Sequence, residues 1–411
     1  MKVLHLNSYN DGGGSESVFN FTRKNKFVEK NYSGFISRGK NKNEDSDIYF
    51  RSWEINNKIL GTINYIFSWY NYKNLRIFLD KNDVDIIHLH GIYASLSPSL
   101  LSAIKKFKKI KNIKVVQTIH DFHIICPNSS LYNFNKDVLC EKCIRKKFKY
   151  HIFFDNCDRR GKTYSIIKGL RSIVANNIIK HANIVDLYIA PSKFIREKLI
   201  DGEIEYNNIK IIPTPIRKIF KINDSPKKNI ICNFGRFSNE KNLQFLIEAF
   251  TEWKRRRNND YKLLLIGEGE KESELKQLAK NKLMIDEILF KEYLPYERLM
   301  DELKIAKYFS MTSKWYENAP MTILEAASLN LIPIVPDFGG MKESIEVVLK
   351  AGKTYIPNNI ESWCNTMDLL EENYSEELKK IIDSKEIILR EFGVDKYYEN
   401  VTNLYKNLLN S

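Results

Sequence analysis

Two glutamates in the last third of the chain have the spacing of a ligand-binding pair. Residues 313–326 read SKWYENAPMTILEA, so that Glu317 and Glu325 stand with seven residues between them. If a helix begins near Pro320, the N–H groups of its first turn favour an anionic ligand beside Glu317. Glu317 can then meet hydroxyl groups or a developing positive charge, and Glu325 can accept hydrogen bonds from a diol. The alternative makes Glu317 a helix cap and Glu325 an exposed helix position.

A pair of cations follows an apolar segment near the middle of the chain. Gly235-Arg236 ends the apolar run 229–234, and Lys241 comes five residues after the arginine. Arginine offers a two-pronged hydrogen-bond donor to phosphate, and lysine supplies a compact positive charge. At the start of a helix such a pair predicts a diphosphate-binding site. The alternative is a surface ion pair with Glu240.

Two further polar positions follow predicted strands in the first half. Gly12, Gly13 and Gly14 come directly after the opening apolar segment, where glycine lets backbone N–H groups approach a phosphate or sugar. Neither the dinucleotide fingerprint nor the P-loop pattern is matched. His120, followed by Asp121, ends another apolar run and can donate to a substrate oxygen or move a proton. A flexible turn and a structural histidine are the alternatives.

Four of the six cysteines fall within 32 residues of one another. Cys126, Cys140, Cys143 and Cys157 have the spacing C-x13-C-x2-C-x13-C. A Cys-x2-Cys pair with two outlying cysteines permits a tetrahedral structural zinc site that ties down a loop. Four sulfur ligands leave no open position for catalysis. Free thiols are the alternative.

The elements that must position these residues alternate between strands and helices. Apolar runs suited to buried strands, separated by amphipathic helices, predict parallel βαβ units in both halves. Two prolines in 211–215 (IIPTP) interrupt regular structure and suit a linker. The pattern therefore predicts two successive doubly wound α/β domains, with a ligand in a cleft between them beside the carboxyl ends of the strands. Strands are expected at 3–6, 86–89, 115–119, 187–190, 229–234, 261–266, 307–311 and 331–335. Helices are expected at 97–109, 163–181, 242–255, 271–280, 320–328 and from 395 onward.

The positive charge is confined to the first half of the chain. Residues 1–220 hold 37 Lys and Arg against 20 Asp and Glu, whereas the remaining residues hold 28 against 31. A one-sided basic surface attracts polyanions such as nucleic acid or an anionic membrane, although lysine-rich helices that are merely well solvated give the same count. No apolar run is long enough to span a bilayer, and the first residues lack the pattern of a signal peptide. We therefore expect a cytoplasmic protein.

The order of these motifs resembles glycosyltransferase family four, which has the two-domain GT-B fold. The shared features are the GGSE segment at Gly13, HD at His120, APSKF at Ala190, IIPTP, GR-x3-EKN at Gly235, IGEGE at Ile266 and the paired glutamates with LEA. The resemblance covers nearly the whole chain, and the E-x7-E stretch is its most specific part. Two departures are the absence of Asn-Gly after IIPTP and the presence of Glu292-Tyr293 where a glycine is common. The second departure leaves the recognition of the base open.

The resemblance implies a role for each motif. It implies retention of anomeric configuration and a nucleotide-diphosphate-sugar donor bound mostly by the second domain. Arg236 and Lys241 are expected to hold the diphosphate, Glu325 the ribose and Glu317 the donor sugar. Gly13 and Gly14 are expected to approach the phosphate and sugar, and His120 to contact the donor sugar in catalysis. No catalytic metal is implied, because the cations and the helix N-terminus take its place.

The predicted function is transfer of a sugar to a lipid-linked or growing glycan during surface polysaccharide synthesis, at the inner face of the membrane. Domains are expected at 1–220 on the acceptor side and 221–394 for the nucleotide sugar, with a helix over 395–411 that packs back on the first domain. A different nucleotide-sugar enzyme, such as an epimerase, is the alternative with the same fold. A basic nucleic-acid-binding protein is the alternative from another class, but no nucleic-acid motif occurs.

Overall fold

The computed structural model describes residues 1–38, 44–217 and 226–411. The chain forms two compact units: the first combines Met1–Thr214 with Val394–Ser411, and the second is Pro215–Gly393. The expected boundary between residues 220 and 221 lies outside the described residues. Among the described residues, no helix combines the length and the apolar composition that crossing a membrane requires.

The first unit is built on a parallel sheet. Its strands are β1 (Lys2–Tyr9), β2 (Lys30–Ile36), β3 (Ile48–Tyr49), β4 (Ile86–Leu89), β5 (Lys114–Thr118), β6 (Tyr132–Asn133), β7 (Val138–Leu139), β8 (Leu187–Ala190) and β9 (Ile209–Ile211). Its helices are α1 (Gly14–Arg23), α2 (Lys58–Ile66), α3 (Trp69–Lys81), α4 (Ser99–Lys108), α5 (His151–Asp155), α6 (Lys162–Ser172) and α7 (Lys193–Asp201). The sheet order is β3-β2-β1-β4-β5-β8-β9, with every pair parallel, and β6 and β7 form a separate antiparallel ribbon.

The second unit repeats this scheme in a shorter form. Its strands are β10 (Lys228–Phe234), β11 (Lys262–Ile266), β12 (Ile288–Lys291), β13 (Ala306–Ser310), β14 (Ile332–Pro336) and β15 (Lys353–Tyr355). Its helices are α8 (Leu243–Arg257), α9 (Glu272–Asn281), α10 (Tyr296–Leu303), α11 (Met321–Ser328), α12 (Gly339–Glu343), α13 (Ile360–Glu372) and α14 (Tyr374–Phe392). The order β12-β11-β10-β13-β14-β15 is that of a doubly wound nucleotide-binding sheet.

The central strands are buried along nearly their whole length. In β1 every residue from Val3 to Tyr9 is buried, and in β13 the last three residues are buried. Strands of a parallel sheet are covered by helices on both faces, which explains why their sequences are nearly continuous apolar runs. The core of the second unit contains two fully buried tryptophans, Trp253 and Trp363, whose rings meet edge to face.

The last helix, α15 (Val394–Leu409), belongs to the first unit. Tyr397, Val401 and Tyr405 are buried in the same apolar cluster as the opening strand. The Tyr397 hydroxyl lies 2.7 Å from Oγ1 of Thr22, and the Asn25 amide donates to Thr402 at 2.9 Å. The chain therefore returns to the first unit after completing the second.

One predicted helix differs from the structure. The helix expected over 163–181 ends as an α-helix at Ser172 and continues as a π-helical turn over Ile173–Ile178. Within this turn the Asn176 side chain donates to Ser172 Oγ at 3.1 Å. Lys180 then adopts a left-handed backbone conformation with φ of 63°, which ends the helix.

Each sheet has one point where strand order reverses, and polar segments follow the strands there. In the second unit this point lies between β10 and β13. Gly235-Arg236 follows β10, and the segment from Met311 follows β13. In the first unit it lies between β1 and β4, which are followed by Asn10 and His90. Ligands of open α/β sheets bind beside the carboxyl ends of the strands at such points.

Candidate functional site

Glu317 is the centre of a hydrogen-bonded cluster in the second unit. Its Oε1 accepts from Lys241 Nζ at 2.5 Å, Ser313 Oγ at 2.7 Å and Trp315 Nε1 at 2.9 Å. The side chain is only 15% exposed. Burial on its own raises the pKa of Glu317, but the charge of Lys241 and the three hydrogen bonds outweigh it and lower the pKa. Glu317 is therefore ionised at neutral pH.

Lys241 is held in place by backbone contacts from the loop that carries Glu317. It ends a 3-10 turn, Asn239–Lys241, and its carbonyl accepts from Thr312 Oγ1 at 2.8 Å. The Lys314 amide donates to the Glu240 carbonyl at 2.9 Å. The segments after β10 and after β13 are therefore joined by a side-chain-to-backbone bond, a backbone bond and the ion pair.

Arg236 lies at the carboxyl end of β10, next to a glycine in an unusual conformation. Gly235 has φ of 139°, a value that side chains other than glycine rarely adopt. The guanidinium of Arg236 is half exposed and donates to Glu240 at 2.7 Å. The ion pair that was the alternative interpretation is thus present. It uses one of five N–H donors of the arginine, so the others can bind a ligand.

Glu325 lies inside α11 and is buried, with 6% exposure. Burial raises its pKa, while the positive charge of Arg217 and a hydrogen bond with Tyr296 act in the opposite direction. The helix cap is Pro320, which carries no side-chain cap bond. Both parts of the alternative interpretation are therefore wrong, because Glu317 does not cap the helix and Glu325 is not exposed.

Gly340, which the sequence analysis did not single out, supports the loop that carries Glu317. Its amide donates to the Glu317 carbonyl at 3.0 Å. A Cβ atom at this position would lie 2.1 Å from the carbonyl oxygen of Asn318. Only glycine allows α12 to approach the loop this closely. The signal in the sequence was the pair Gly339-Gly340, which begins four residues after the end of the predicted strand 331–335.

The glycine loop of the first unit starts α1, with Gly13 as its cap residue. The Gly13 amide donates to the carboxylate of Glu16 at 2.8 Å, and Ser15 Oγ donates to the same carboxylate at 2.8 Å. Gly14 is the first helical residue. The Gly13 N–H that was predicted to approach a phosphate is thus bonded to an acidic side chain of its own helix.

His120 follows β5 and belongs to a row of four histidines. His5, His88, His90 and His120, which we call the histidine row, stand with neighbouring ring centroids 4.3–6.3 Å apart. His90 Nδ1 lies 3.0 Å from His120 Nε2. Burial lowers the pKa of His120, against the opposing charges of Glu16 and Asp121. His120 is therefore a neutral imidazole at pH 7.

The predicted zinc ligands line one pocket of the first unit. Its lining includes Cys126, Cys140, Cys143 and Cys157, which we call the cysteine cluster, together with Asn128, Tyr132, His151 and Asp155. All six cysteines of the chain are free thiols. Burial raises the pKa of Cys143 and of Cys157 to about 12, and the neighbouring sulfurs add to the effect. Such thiols are poor nucleophiles at neutral pH.

The structure thus brings together Arg236, Lys241 and Glu317 around the strand ends of the second unit, with Glu325 on the adjoining helix. Gly13, Gly14 and His120 lie at the carboxyl ends of strands in the first unit. Sequence reasoning missed Ser313, Trp315 and His90, because each acts through a contact with a residue distant along the chain or in an irregular loop.

Two family models match adjoining parts of this chain. The model described as "Glycosyltransferase Family 4" matches residues 55–218, and the model described as "Glycosyl transferases group 1" matches residues 215–386. A curated relative, the Neurospora crassa GDP-Man:Man(3)GlcNAc(2)-PP-Dol alpha-1,2-mannosyltransferase, is 25% identical over 130 residues. That match covers 29% of this chain, and it spans about a quarter of the relative's length, 23%.

Several solved structures resemble the whole chain. Anabaena HepE in complex with UDP has a TM-score of 0.70 at 16% identity, with 99% of this chain and 100% of that chain covered. The apo form of the lipopolysaccharide outer core galactosyltransferase WaaB has a TM-score of 0.64 at 16% identity, with 99% of each chain covered. Sucrose-phosphate synthase from Thermosynechococcus elongatus has a TM-score of 0.67 at 14% identity over the full length of both chains. At these sequence identities the similarity shows a shared fold and nothing beyond it.

Proposed function

Because the chain belongs to glycosyltransferase family four and has the GT-B fold, we propose that it transfers a sugar, with retention of configuration, from a nucleotide-diphosphate-sugar to a lipid-linked or growing polysaccharide. The observation that carries this proposal is the Lys241–Glu317 pair beside the strand ends of the second unit. A cation and an ionised carboxylate side by side suit a ligand that combines a diphosphate with a polar sugar. HepE, which shares the fold, has been solved with UDP and with UDP-glucose.

The diphosphate is assigned to the cations and the helix N-terminus of the second unit. Arg236 has N–H donors that the Glu240 ion pair does not use, and Lys241 has two ammonium protons beyond the one directed to Glu317. The first N–H groups of α11 add partial positive charge. These groups meet the negative charge of the leaving nucleoside diphosphate, which is electrostatic stabilisation of the transition state. Transfer by this arrangement requires no divalent metal ion.

The two glutamates are assigned to the two ends of the donor. All three hydrogen bonds to Glu317 end on Oε1, so Oε2 is the oxygen that we expect to face the donor sugar. Glu325 is buried beside Tyr296 and accepts from the ribose diol in our assignment. A buried carboxylate that gains two hydroxyl donors recovers part of the hydration that it lost on folding.

The proposed chemical step follows from retention of the anomeric configuration of the donor sugar. The acceptor hydroxyl attacks the anomeric carbon from the face that the diphosphate leaves, a C–O bond to the acceptor forms as the C–O bond to the diphosphate breaks, and the hydroxyl proton passes to a phosphate oxygen. No second carboxylate is needed, in contrast to glycosidases. The roles of Gly13 and Gly14 in donor binding and of His120 in catalysis remain predictions from the family resemblance.

An exposed apolar face on α2 supports action at a membrane surface. On α2, Ile59 and Ile63 are 77% and 54% exposed, and Lys58 precedes them. Trp69, the first residue of α3, is 71% exposed. Residues 1–220 also carry the basic excess, 37 cationic against 20 anionic residues. An apolar helical face with adjacent cations binds the interface of an anionic bilayer. We therefore propose that the protein works in the cytoplasm, attached peripherally to the inner face of the membrane that carries a lipid-linked acceptor.

One experiment tests the central proposal. The purified protein is screened against a panel of nucleotide sugars by thermal shift, because a specific ligand stabilises the native state by mass action. The stabilising donor is then incubated with lipid-linked glycan acceptors, and the anomeric configuration of the product is read by NMR. A retained linkage supports the proposal. Conversion of the donor without an acceptor indicates an epimerase, and binding of oligonucleotides without any nucleotide sugar indicates a nucleic-acid-binding protein; either result refutes it.

A further inference from the structure

The cysteine cluster has no part in the proposed transfer, yet its four thiols converge on one pocket. Three of them, Cys126, Cys143 and Cys157, are buried, with 7–8% exposure. The four cysteines come from separate parts of the chain, since Cys140 follows β7 and Cys157 follows α5. We propose that the cysteine cluster binds one zinc ion, which holds together the segment that follows His120.

Backbone and amide bonds bring three of the four positions to the pocket. The Cys140 amide donates to the Leu131 carbonyl at 2.8 Å. The side-chain amide of Asn128 donates to the carbonyls of Cys157, at 2.8 Å, and of Tyr132, at 3.0 Å. Asn128 thereby ties the turn after Cys126 to the turn after α5. Three outlying parts of the segment are fixed around the same point without any contribution from the thiols themselves.

Without metal these thiols stay protonated, because burial raises the pKa of Cys126, Cys143 and Cys157. A bound metal ion deprotonates a coordinating thiol through its own charge. Four thiolates and one Zn²⁺ carry a net charge of about −2. Lys149 offsets part of it, because its Nζ lies 3.1 Å from the Cys143 carbonyl and its charge interacts with Cys143 and Cys126.

The segment between His120 and α6 has little regular structure to stabilise it in the absence of a metal ion. Its ribbon consists of β6 and β7, each two residues long, and its one helix before α6 is the five-residue α5. A two-stranded ribbon of this length is not stable alone. Metal binding by four cysteines supplies folding free energy to such small elements. The ion is therefore structural, since four sulfur ligands leave no open coordination position.

Binding requires a local movement of the thiols. Among the described residues, the group whose candidate ligand atoms all lie within 4.8 Å of one another is His5, His88 and His90, and no three of the cysteines meet that limit. In a tetrahedral site with Zn–S bonds of about 2.3 Å the sulfurs stand about 3.8 Å apart. We expect rotation about the Cα–Cβ bonds to bring the sulfurs inward. Four Zn–S bonds form, four S–H protons are released to solvent, and no electron is transferred.

The first test measures the zinc content of the intact purified protein after dialysis by inductively coupled plasma mass spectrometry. We expect about one zinc ion per chain in the wild type and loss of at least four-fifths of it in Cys140→Ser and in Cys143→Ser. Cys232→Ala and Cys364→Ala are the matched controls, because these thiols are buried in the second unit and should leave the zinc content unchanged. Zinc that persists in the two serine variants overturns the proposal and points to the histidine row.

The second test needs no variant and therefore does not depend on whether a variant folds. X-ray absorption at the zinc edge of the wild-type protein should show four sulfur neighbours at about 2.3 Å. Nitrogen or oxygen neighbours in place of sulfur contradict the proposal. A wild-type protein without zinc also contradicts the proposal. This holds whether mass mapping under non-reducing conditions finds the four clustered cysteines as disulfides or as free thiols.

Discussion

Lys241 Nζ lies 2.5 Å from Oε1 of Glu317, across 76 positions of sequence. This ion pair joins the segment after β10 to the loop after β13, at the point where the strand order of the second unit reverses. Each partner fixes the orientation of the other, which is the orientation that the proposed donor binding uses. The pair is largely buried, with 27% and 15% exposure, so its geometry is better defined than that of a surface ion pair.

The Lys241→Gln variant should bind the nucleotide-sugar donor more weakly. Loss of a charge-assisted hydrogen bond to phosphate costs about 1.5–3 kcal/mol, or about 10-fold to 150-fold in affinity. Isothermal titration with the donor measures the change. Lys304→Gln is the matched control, since Lys304 forms an exposed ion pair with Asp301 on α10. Equal loss of affinity in both variants would contradict the assignment.

The Glu317→Gln variant should fold normally and lose turnover. Removal of a group that contacts the transition state typically lowers kcat by about 10²–10³. Steady-state transfer assays measure kcat, and circular dichroism checks the fold. The control is Glu376→Gln, which removes an exposed carboxylate with the same chemistry. Wild-type turnover in Glu317→Gln would refute the role of this carboxylate.

The Gly340→Ala variant should displace the loop that carries Glu317. Its added methyl group meets the Asn318 carbonyl at 2.1 Å, and such overpacking costs about 1–3 kcal/mol. We expect a lower melting temperature and reduced transfer together. Unchanged activity and stability would show that the approach of α12 to this loop is not tight in solution.

Glu325 should make the second unit less stable as the pH rises. Burial raises its pKa, so between the unfolded and folded pKa values the native state binds more protons than the unfolded state. The stabilisation is complete below the unfolded pKa, near 4.5, and is lost as the pH rises through the higher folded value. The melting temperature of Glu325→Gln, relative to that of the wild type, should therefore increase from pH 4 to pH 8. Its affinity for the donor should nevertheless fall, and a difference in melting temperature that is independent of pH would contradict the account.

Membrane attachment should depend on the apolar face of α2. In a liposome flotation assay with anionic lipid, the double variant Ile59→Ser/Ile63→Ser should bind at least several-fold less than the wild type. Leu283→Ser is the control, because Leu283 is an apolar residue of the second unit that is more exposed than either isoleucine, at 86%. Equal binding by the double variant, or no preference for anionic lipid in the wild type, would remove the membrane part of the proposal.

Several strands could not be predicted from the sequence. The strand β2 reads KNYSGFI, in which polar residues and a glycine hide the apolar pattern. Gly34 is required there by packing, because a Cβ would lie 2.7 Å from side-chain atoms of Leu6 and Phe50. The short strands β9 and β15, with three residues each, are too brief for a periodic signal. Their pairing depends on neighbours that are distant in sequence.

The sequence by itself determined the alternation of strands and helices, the order of the motifs and thus the family, because buried parallel strands and helix starts leave local patterns of residue type. The tertiary structure decided which side chains meet. The three donors on Glu317 Oε1, the contact of His90 with His120 and the approach of Gly340 to Asn318 all join residues whose proximity depends on strand order and loop path. Distances of this kind are set by the packing of the whole unit, which no local pattern encodes.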